Sequence, residues 1–536
     1  MSQQPPVHEP HKIKTIRPIA FPTLEERKRA LAAARFNVFE LTPEEIVFDM
    51  VSYGTSAMTQ EQLAGQLIGD EAYAGARNFE TLNAVITDVL GQTYVCPTHN
   101  SLGAIKLLLR AFAPDGSALV SNARGRVDVH EPRRITIHDA RDGAEPVFRG
   151  NFDLPRLEAL VAEVAPRFIG AQCFADGRYP FSLANLRAVR GIADRHGLRL
   201  VLDLSRVIEN AWFIQRHEQG MADRTIAEIV KSISKTAHIV FMDGAQDPRC
   251  NTGGFLATDN PADHEHFIND VVVFEGLHTY GGMAGRTMEV LARGLARMCD
   301  EADVQWVMYQ TERFGARLQQ AGVPCETGCD GAYIDAGAFL PHVASHPDHA
   351  LAAALYQTSG VRLLVTGMVG SPALLPVQIP RLAMTNTQLD QVADAIAHLY
   401  RQRDSVVALE VETTGRWHDQ LRFRSIFADL ENFAFDCDPY LVHTIETIAR
   451  TTREQREKAI REAGWNTFLL RSADVTIDLL TDSGTTAMST AQWAAYDAAL
   501  PTPATSEAFL AFQATVRDLY GYLIDKCMYN EVVDLF

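Results

Sequence analysis

The stretch Met242–Gly254, MDGAQDPRCNTGG, follows a strand-like apolar run from His238 to Met242 and closes on a Gly-Gly pair. A polar turn of this shape can present a nucleophile or a proton-moving group, and lysine is the residue type that does both. This turn holds none. Gln246 stands in it instead, and a primary amide neither adds to a carbonyl nor carries a proton as an amine does. The nearest lysines, Lys231 and Lys235, precede the strand and read as the solvated face of a helix. His99, Cys96 and Cys250 are the types that could serve metal or cofactor-free chemistry. Cys325 and Cys329 form a lone C-x-x-x-C, with no second pair at zinc-site spacing. The eight cysteines are scattered and read as reduced, mostly buried thiols of a cytoplasmic protein.

The elements that must position these residues alternate. Strand-like runs occur at Tyr94–Cys96, Ala118–Val120, Phe168–Cys173, Leu198–Asp203 and His238–Met242, with amphipathic helical stretches such as 182–197 and 225–237 between them. Apolar strands separated by helices predict an α/β protein with a mostly parallel, buried sheet. Later runs, 360–369 and 374–380, read as strands. The helix 385–403, capped by Thr385 or Asn386, follows and suggests a second, smaller α/β domain.

The chain has 536 residues, 47% hydrophobic and 22% charged, an ordinary globular mix long enough for two or three domains' worth of core. A net charge of −18 argues against nucleic acid or an anionic membrane as partner, because phosphate binding needs a basic face. The start, MSQQPPVHEPHK, lacks the apolar core of a signal peptide, and no apolar run approaches a membrane span.

An internal repeat is the most unusual feature. Residues 26–59 match 454–489: Asn37 faces Asn466, Phe39 faces Phe468, Asp49 faces Asp478, and Gly54-Thr55 faces Gly484-Thr485. One residue is missing from the first copy between Phe39 and Gly54. Beyond Met58 and Met488 the register holds to 84–91 against 514–521. Residues 446–536 thus read as a partial repeat of 26–91. The preceding chain reads as an N-terminal arm (1–60), a large domain (61–300) and a small domain (301–435).

Stretches from residue 69 to residue 390, among them GDEAYAGARNF (69–79), YVCPTHN (94–100), LDLSRVIENAWFIQRHEQG (202–220), EGLHTYGGMAGRTMEVLARGL (275–295) and IPRLAMTNTQLD (379–390), resemble tryptophanase and tyrosine phenol-lyase, the β-eliminating lyases of aromatic amino acids. The resemblance spans about residues 8 to 435. It implies a fold-type I pyridoxal phosphate (PLP) architecture, a homo-dimer or tetramer with active sites shared between subunits, and an amino-acid substrate. By the same resemblance, Asp203 matches the carboxylate that keeps the cofactor's ring nitrogen protonated, so that the ring can serve as an electron sink. A strand-end aspartate capping the next turn is the alternative. Arg206 matches a residue near the cofactor, or else pairs with Asp203. Arg381 matches the guanidinium fork that anchors the substrate carboxylate. Tyr73 matches the tyrosine that reaches across the dimer, or is a half-buried loop aromatic.

Other working parts implied by the resemblance are missing. The Schiff-base lysine aligns with Gln246. The phosphate cup, where a helix N-terminus and an arginine hold the anion, reads Asn100-Ser101-Leu102, so a dipole and a hydroxyl remain without the guanidinium. The residues where a stacking aromatic belongs, 121–128, contain no aromatic, and Phe174 aligns with an asparagine that touches the ring oxygen. The motif Thr481-Asp482-Ser483-Gly484-Thr485 of the second copy is intact where the first copy reads Val51-Ser52-Tyr53-Gly54-Thr55. Pro503, in turn, faces Tyr73. Each copy keeps what the other has lost, which suggests that the C-terminal segment serves as a replacement N-terminal piece on a lyase-like body. A remnant of a broken duplication is the alternative.

Three functions follow. The first is a divergent lyase-family protein with PLP not covalently bound or absent, working in altered chemistry or as a partner subunit in a hetero-oligomer with a second lyase-like chain. The second is a working PLP-dependent carbon-carbon or carbon-sulfur β-lyase of an aromatic amino acid, its lysine supplied by a partner chain or standing elsewhere than the alignment at Gln246 puts it. The third is a metal-dependent or cofactor-free enzyme using the old pocket.

Overall fold

The computed structural model describes residues 9–435 apart from 14, 73, 114, 124–134, 144 and 366–373. Tyr73, most of the stretch expected to hold a stacking aromatic, and the whole second copy with Thr481 to Thr485 lie outside the described residues. The described residues through Phe433 form one compact unit.

Helix α1 (Leu24–Ala33) opens the N-terminal segment, started by a capping box in which Thr23 and Glu26 exchange hydrogen bonds. Strand β1 (Phe48–Asp49) and helices α2 (Gln60–Ile68) and α3 (Arg77–Leu90) follow, and Gly91 ends α3 in the left-handed conformation. Then comes the alternating region: β2 (Tyr94–Thr98), α4 (Ser101–Phe112), β3 (Ala118–Ser121), β4 (Thr136–Asp139), α5 (Leu154–Val164), β5 (Phe168–Gln172), α6 (Leu183–Arg195), β6 (Arg199–Asp203), α7 (Val207–His217), α8 (Ile226–Thr236), β7 (Ile239–Asp243) and β8 (Gly254–Thr258). Its strands form a seven-stranded sheet in the order β2-β8-β7-β6-β5-β3-β4. From β7 through β4 all neighbours are parallel, and β8 alone runs antiparallel, pairing β7 on one side and β2 on the other.

The strands read as unbroken apolar runs because both faces are covered. Leu200, Leu202, Val240 and Met242 enter one core cluster, while Val201, Ile239 and Phe241 enter the other. This is the two-residue alternation of a strand between two helical layers. The five strands expected in this sheet and the helices at 182–197 and 225–237 are present, with β4 and β8 in addition.

Beyond the sheet come α9 (Pro261–Phe274), α10 (Gly285–Arg297), α11 (Glu301–Gln320), β9 (Cys325–Thr327), β10 (Gly331–Asp335), α12 (Ala336–Phe339), α13 (Pro347–Ser359), β11 (Val361–Arg362), β12 (Leu374–Gln378), α14 (Asn386–Arg401), β13 (Glu410–Thr413) and β14 (Arg422–Arg424). A small antiparallel sheet has the order β12-β10-β9. Thr385 caps α14 by accepting the backbone N–H of Gln388. The strand expected over 360–369 is corrected. Within its described part only Val361–Arg362 is strand, and it pairs in parallel with Phe48–Asp49 of the N-terminal segment. Its partner is two residues long, and Arg362 is held there by a two-pronged ion pair to Asp49. No helix among the described residues is long and apolar enough to cross a membrane.

Candidate functional site

The site lies past the C-terminal ends of the parallel strands, where open α/β sheets bind ligands. Asp203 ends β6. Its Oδ1 accepts the Ser205 N–H at 2.9 Å, and its Oδ2 accepts the Gln172 side-chain amide at 3.1 Å. It therefore caps the following turn, as one reading of the sequence expects. Arg206 has a left-handed backbone (φ 71°) and begins α7. Its guanidinium does not pair with Asp203 as that alternative supposes. It binds Asp330 at 3.3 and 3.4 Å, because the turn aims it toward the small sheet. Burial works to raise the Asp330 carboxyl, but Arg206 and then Arg381 outweigh it and hold the group below its ordinary range.

Gln246 and Asp247 stand in the turn after β7, both out of water. Asp247 accepts the backbone N–H groups of Arg206 and Ile208 at 3.0 Å each, and so caps α7 from outside it. Arg381 enters this turn from the other side and is 1% exposed. Its guanidinium donates to Glu209 at 2.5 and 3.0 Å, to Asp247 at 3.2 Å and to Oε1 of Gln246 at 3.3 Å. The fork expected to grip a substrate carboxylate thus grips two carboxylates of the protein. Burial, and then the Glu209 charge, push the Asp247 carboxyl up to about 7 against the pull of Arg381. Ser52 donates a long 3.5 Å contact to Oε1 of Gln246, while Nε2 of Gln246 and Oε2 of Glu209 have no hydrogen-bond partner among the described residues.

The helix end expected to hold phosphate carries a second self-pairing. Asn100 caps α4 through the Gly103 N–H, leaving the end open toward β7. There the Asp243 carboxylate, 1% exposed, accepts the Ser101 N–H at 3.3 Å, the Ser101 hydroxyl at 2.5 Å and the Tyr53 hydroxyl. A second carboxylate, Glu275, lies against the same turn. It accepts the His99 N–H at 3.2 Å and contacts the His99 ring, and a Cβ added at Gly103 would fall 2.5 Å from its oxygen.

A helix N-terminus attracts anions through its free N–H groups and dipole. Here the Asp243 carboxylate already takes the Ser101 N–H of that end, the Glu275 carboxylate lies beside it against Gly103, and Leu102 stands where the resemblance puts a guanidinium. A phosphate dianion brought to this end would meet buried negative charge, and no amine stands at position 246 to bond an aldehyde. Phe174, which the resemblance aligns with an asparagine that touches the ring oxygen, is buried with φ 54° and carries no polar side-chain atom. The residues present do not fit a phosphorylated aldehyde cofactor.

The remaining candidates separate from this cluster. Cys96 and Cys250 are buried thiols that burial holds far above their ordinary range, so neither is a ready nucleophile. Lys231 and Lys235 are exposed on α8 and bind Asp88, Gly91 and Asp259. Among the described residues no group of three His, Cys, Asp or Glu stands close enough to hold a metal ion. Sequence reasoning missed Asp243, Glu209, Asp247 and Asp330. The signal for Asp243 was present, an aspartate ending an apolar run just as Asp203 does.

The beta-eliminating lyase family profile matches residues 46–395. The chain belongs to the beta-eliminating lyase family. It is 36% identical to the tyrosine phenol-lyase of Symbiobacterium sp. (strain SC-1) over 439 residues, 76% of this chain and 96% of that protein. It is 35% identical to the tyrosine phenol-lyase of Pasteurella multocida (strain Pm70), over 75% of this chain and 95% of the other. It is 33% identical to the tryptophanase of Hyphomonas neptunium (strain ATCC 15444), with the same coverage. The family is PLP-dependent. Of the residues that the resemblance assigns to cofactor and substrate, Arg206 and Arg381 are bound into ion pairs within the chain, to Asp330 and to Glu209 and Asp247.

Proposed function

We propose that this chain is a member of the beta-eliminating lyase family that has left Schiff-base chemistry and works as a non-catalytic partner subunit of a second lyase-like chain. The observation that carries the reading is the Asp243 carboxylate seated on the N-terminus of α4, held by Ser101 and Tyr53. It places fixed negative charge where the family's cofactor would bring its own. The glutamine at position 246 and the closed Arg381–Glu209–Asp247 cluster agree with it. The fold, by contrast, is fully built, with an extensive core and capped helices. A chain that keeps the body and cancels the pocket fits a role exercised through association.

The test is turnover. The purified chain, supplied with PLP and then with tyrosine, tryptophan or S-methylcysteine, should release neither pyruvate nor ammonia. Release of pyruvate by this chain alone at a rate proportional to its concentration overturns the reading.

A further inference from the structure

We propose that the buried pair His349–His418 is a proton-operated latch: at neutral pH it pins the strap 417–424 to α13, and acid opens the strap and frees residues 35–41 of the N-terminal segment. The inference stands apart from the function proposed above.

The strap is where the N-terminal segment is held. Asn37, 2% exposed, donates to the carbonyls of His418, Asp419 and Leu421 at 3.0, 3.4 and 2.8 Å. The Phe423 N–H donates to the Arg35 carbonyl at 2.9 Å, and Arg422 pairs with Glu40 at 2.6 Å. From there the chain runs through β1 to Ser52 and Tyr53, which reach Gln246 and Asp243. The strap in turn rests on α13. Nε2 of His349 and Nδ1 of His418 stand 3.0 Å apart, and both residues are buried. His346 brings a third ring to 5.9 Å from that of His349, and the Phe423 ring packs on both, at 4.8 Å from His349 and 5.6 Å from His346.

Two imidazoles share a hydrogen bond only while one keeps a lone pair for the other's N–H. A first added proton sets a charge out of water. A second turns N–H against N–H and sets two like charges side by side. Among the described residues no carboxylate is hydrogen-bonded to the His349 ring to hold such a charge. Asp348 accepts the backbone N–H of His349, and Asp419, next to His418, is in part open to water. Arg422 and Arg424, on either side of Phe423, face Glu40 and the acids of β13. His342, before α13, is bonded to the Val406 carbonyl. The other elements packed on α13 direct their charges elsewhere. Arg27 of α1 meets the carbonyls of Gln357 and Thr358 at the far end of α13, and Arg362 of β11 meets Asp49. Asp390 and Asp394 of α14 meet Arg313 and Arg317, and His398 meets the Glu431 carbonyl.

Burial, and then the His418 and His346 charges, hold the His349 ring down to about 3. An open strap returns it to the ordinary histidine value of about 6.5. The closed value is the depressed one, so closure is at full strength above the open value. It weakens about tenfold for each pH unit below that value, down toward the closed one. Once the strap is open the rings titrate as in an unfolded chain, so the latch leaves the steeper pH dependence of global unfolding to other groups.

Hydrogen exchange of the full chain, read by mass spectrometry and corrected for the intrinsic pH dependence of exchange, tests the latch. From about pH 7.5 to about pH 5, protection of peptides covering 35–41 and 417–424 should fall about thirtyfold, and that of a peptide covering β6 by less than about threefold. His349→Gln with His418→Asn replaces the pair by two amides that keep one N–H···O bond and take no proton. The fall in the strap should then shrink to under about threefold. If that variant does not fold, His418→Asn alone carries the test. Its side-chain oxygen still accepts from Nε2 of a charged His349, and the fall should be at least about threefold smaller than in the unmodified chain. Protection of the two peptides that holds steady, or falls only in step with β6, overturns the latch. So does an undiminished fall in the variants, which would place the titrating group elsewhere.

Discussion

Two adjacent parallel strands, β6 and β7, each end in an aspartate with the same local geometry. Oδ1 of Asp203 accepts the N–H two residues on, at 2.9 Å, and Oδ1 of Asp243 does the same at 3.0 Å. Their second oxygens diverge. That of Asp203 takes a neutral side-chain amide from the next strand, and that of Asp243 takes a helix end and two hydroxyls. One strand end keeps a carboxylate where the family resemblance puts one. The other spends its carboxylate on the anion seat beside it. The comparison teaches that two strand ends with the same local turn can differ wholly in what their second carboxylate oxygen meets, one a neutral amide and the other a helix end and two hydroxyls.

The largest effect should come from opening the paired cluster behind β7. Arg381→Leu leaves Glu209 and Asp247 buried without their cation and should cost about 3–5 kcal/mol in denaturant unfolding. A loss under about 1 kcal/mol would mean that the pairing does not hold the pocket shut.

The next effect is a pH slope. The folded Asp247 carboxyl stands at about 7, above an unfolded value near 4. The folded chain therefore binds this proton more tightly, so the contribution is fully present below the unfolded value and is lost as pH rises through the folded one. Stability should fall by up to about 1.4 kcal/mol per pH unit across that window, and Asp247→Asn should flatten the slope. Equal slopes in the two proteins would place the titration elsewhere.

Asp243→Asn and Asp203→Asn test the two strand ends directly. Inorganic phosphate, titrated by calorimetry, should bind the first variant about tenfold more tightly than the unmodified chain, a gain of about 1.4 kcal/mol, and the second no better. A gain in both, or in neither, breaks the comparison. The smallest effect is Tyr53→Phe, which removes one donor to Asp243 and should cost about 1 kcal/mol.

Much of this frame was legible in advance. Unbroken apolar runs between amphipathic helices located five strands of the main sheet to within a residue or two, because burial on both faces leaves a period-free apolar signature. Gln246, Asp203, Arg206 and Arg381 could be picked out by type and by resemblance. Their partners could not. Arg381 finds Glu209 and Asp247, and Arg206 finds Asp330, across long stretches of chain, and nothing local in ENAWF or GAQDP says which distant cation each acid meets. The run 360–369 was misread because its apolar residues suit a long strand, whereas the partner backbone at Phe48–Asp49 is only two residues long.

The most direct measurement adds PLP to the purified full chain, records the visible spectrum before and after borohydride reduction, and takes an intact mass. The account predicts no visible band from a lysine-bound cofactor and no reduced adduct. A band that borohydride abolishes, with the mass raised by one reduced PLP on one lysine, would contradict it and restore the chain to Schiff-base chemistry.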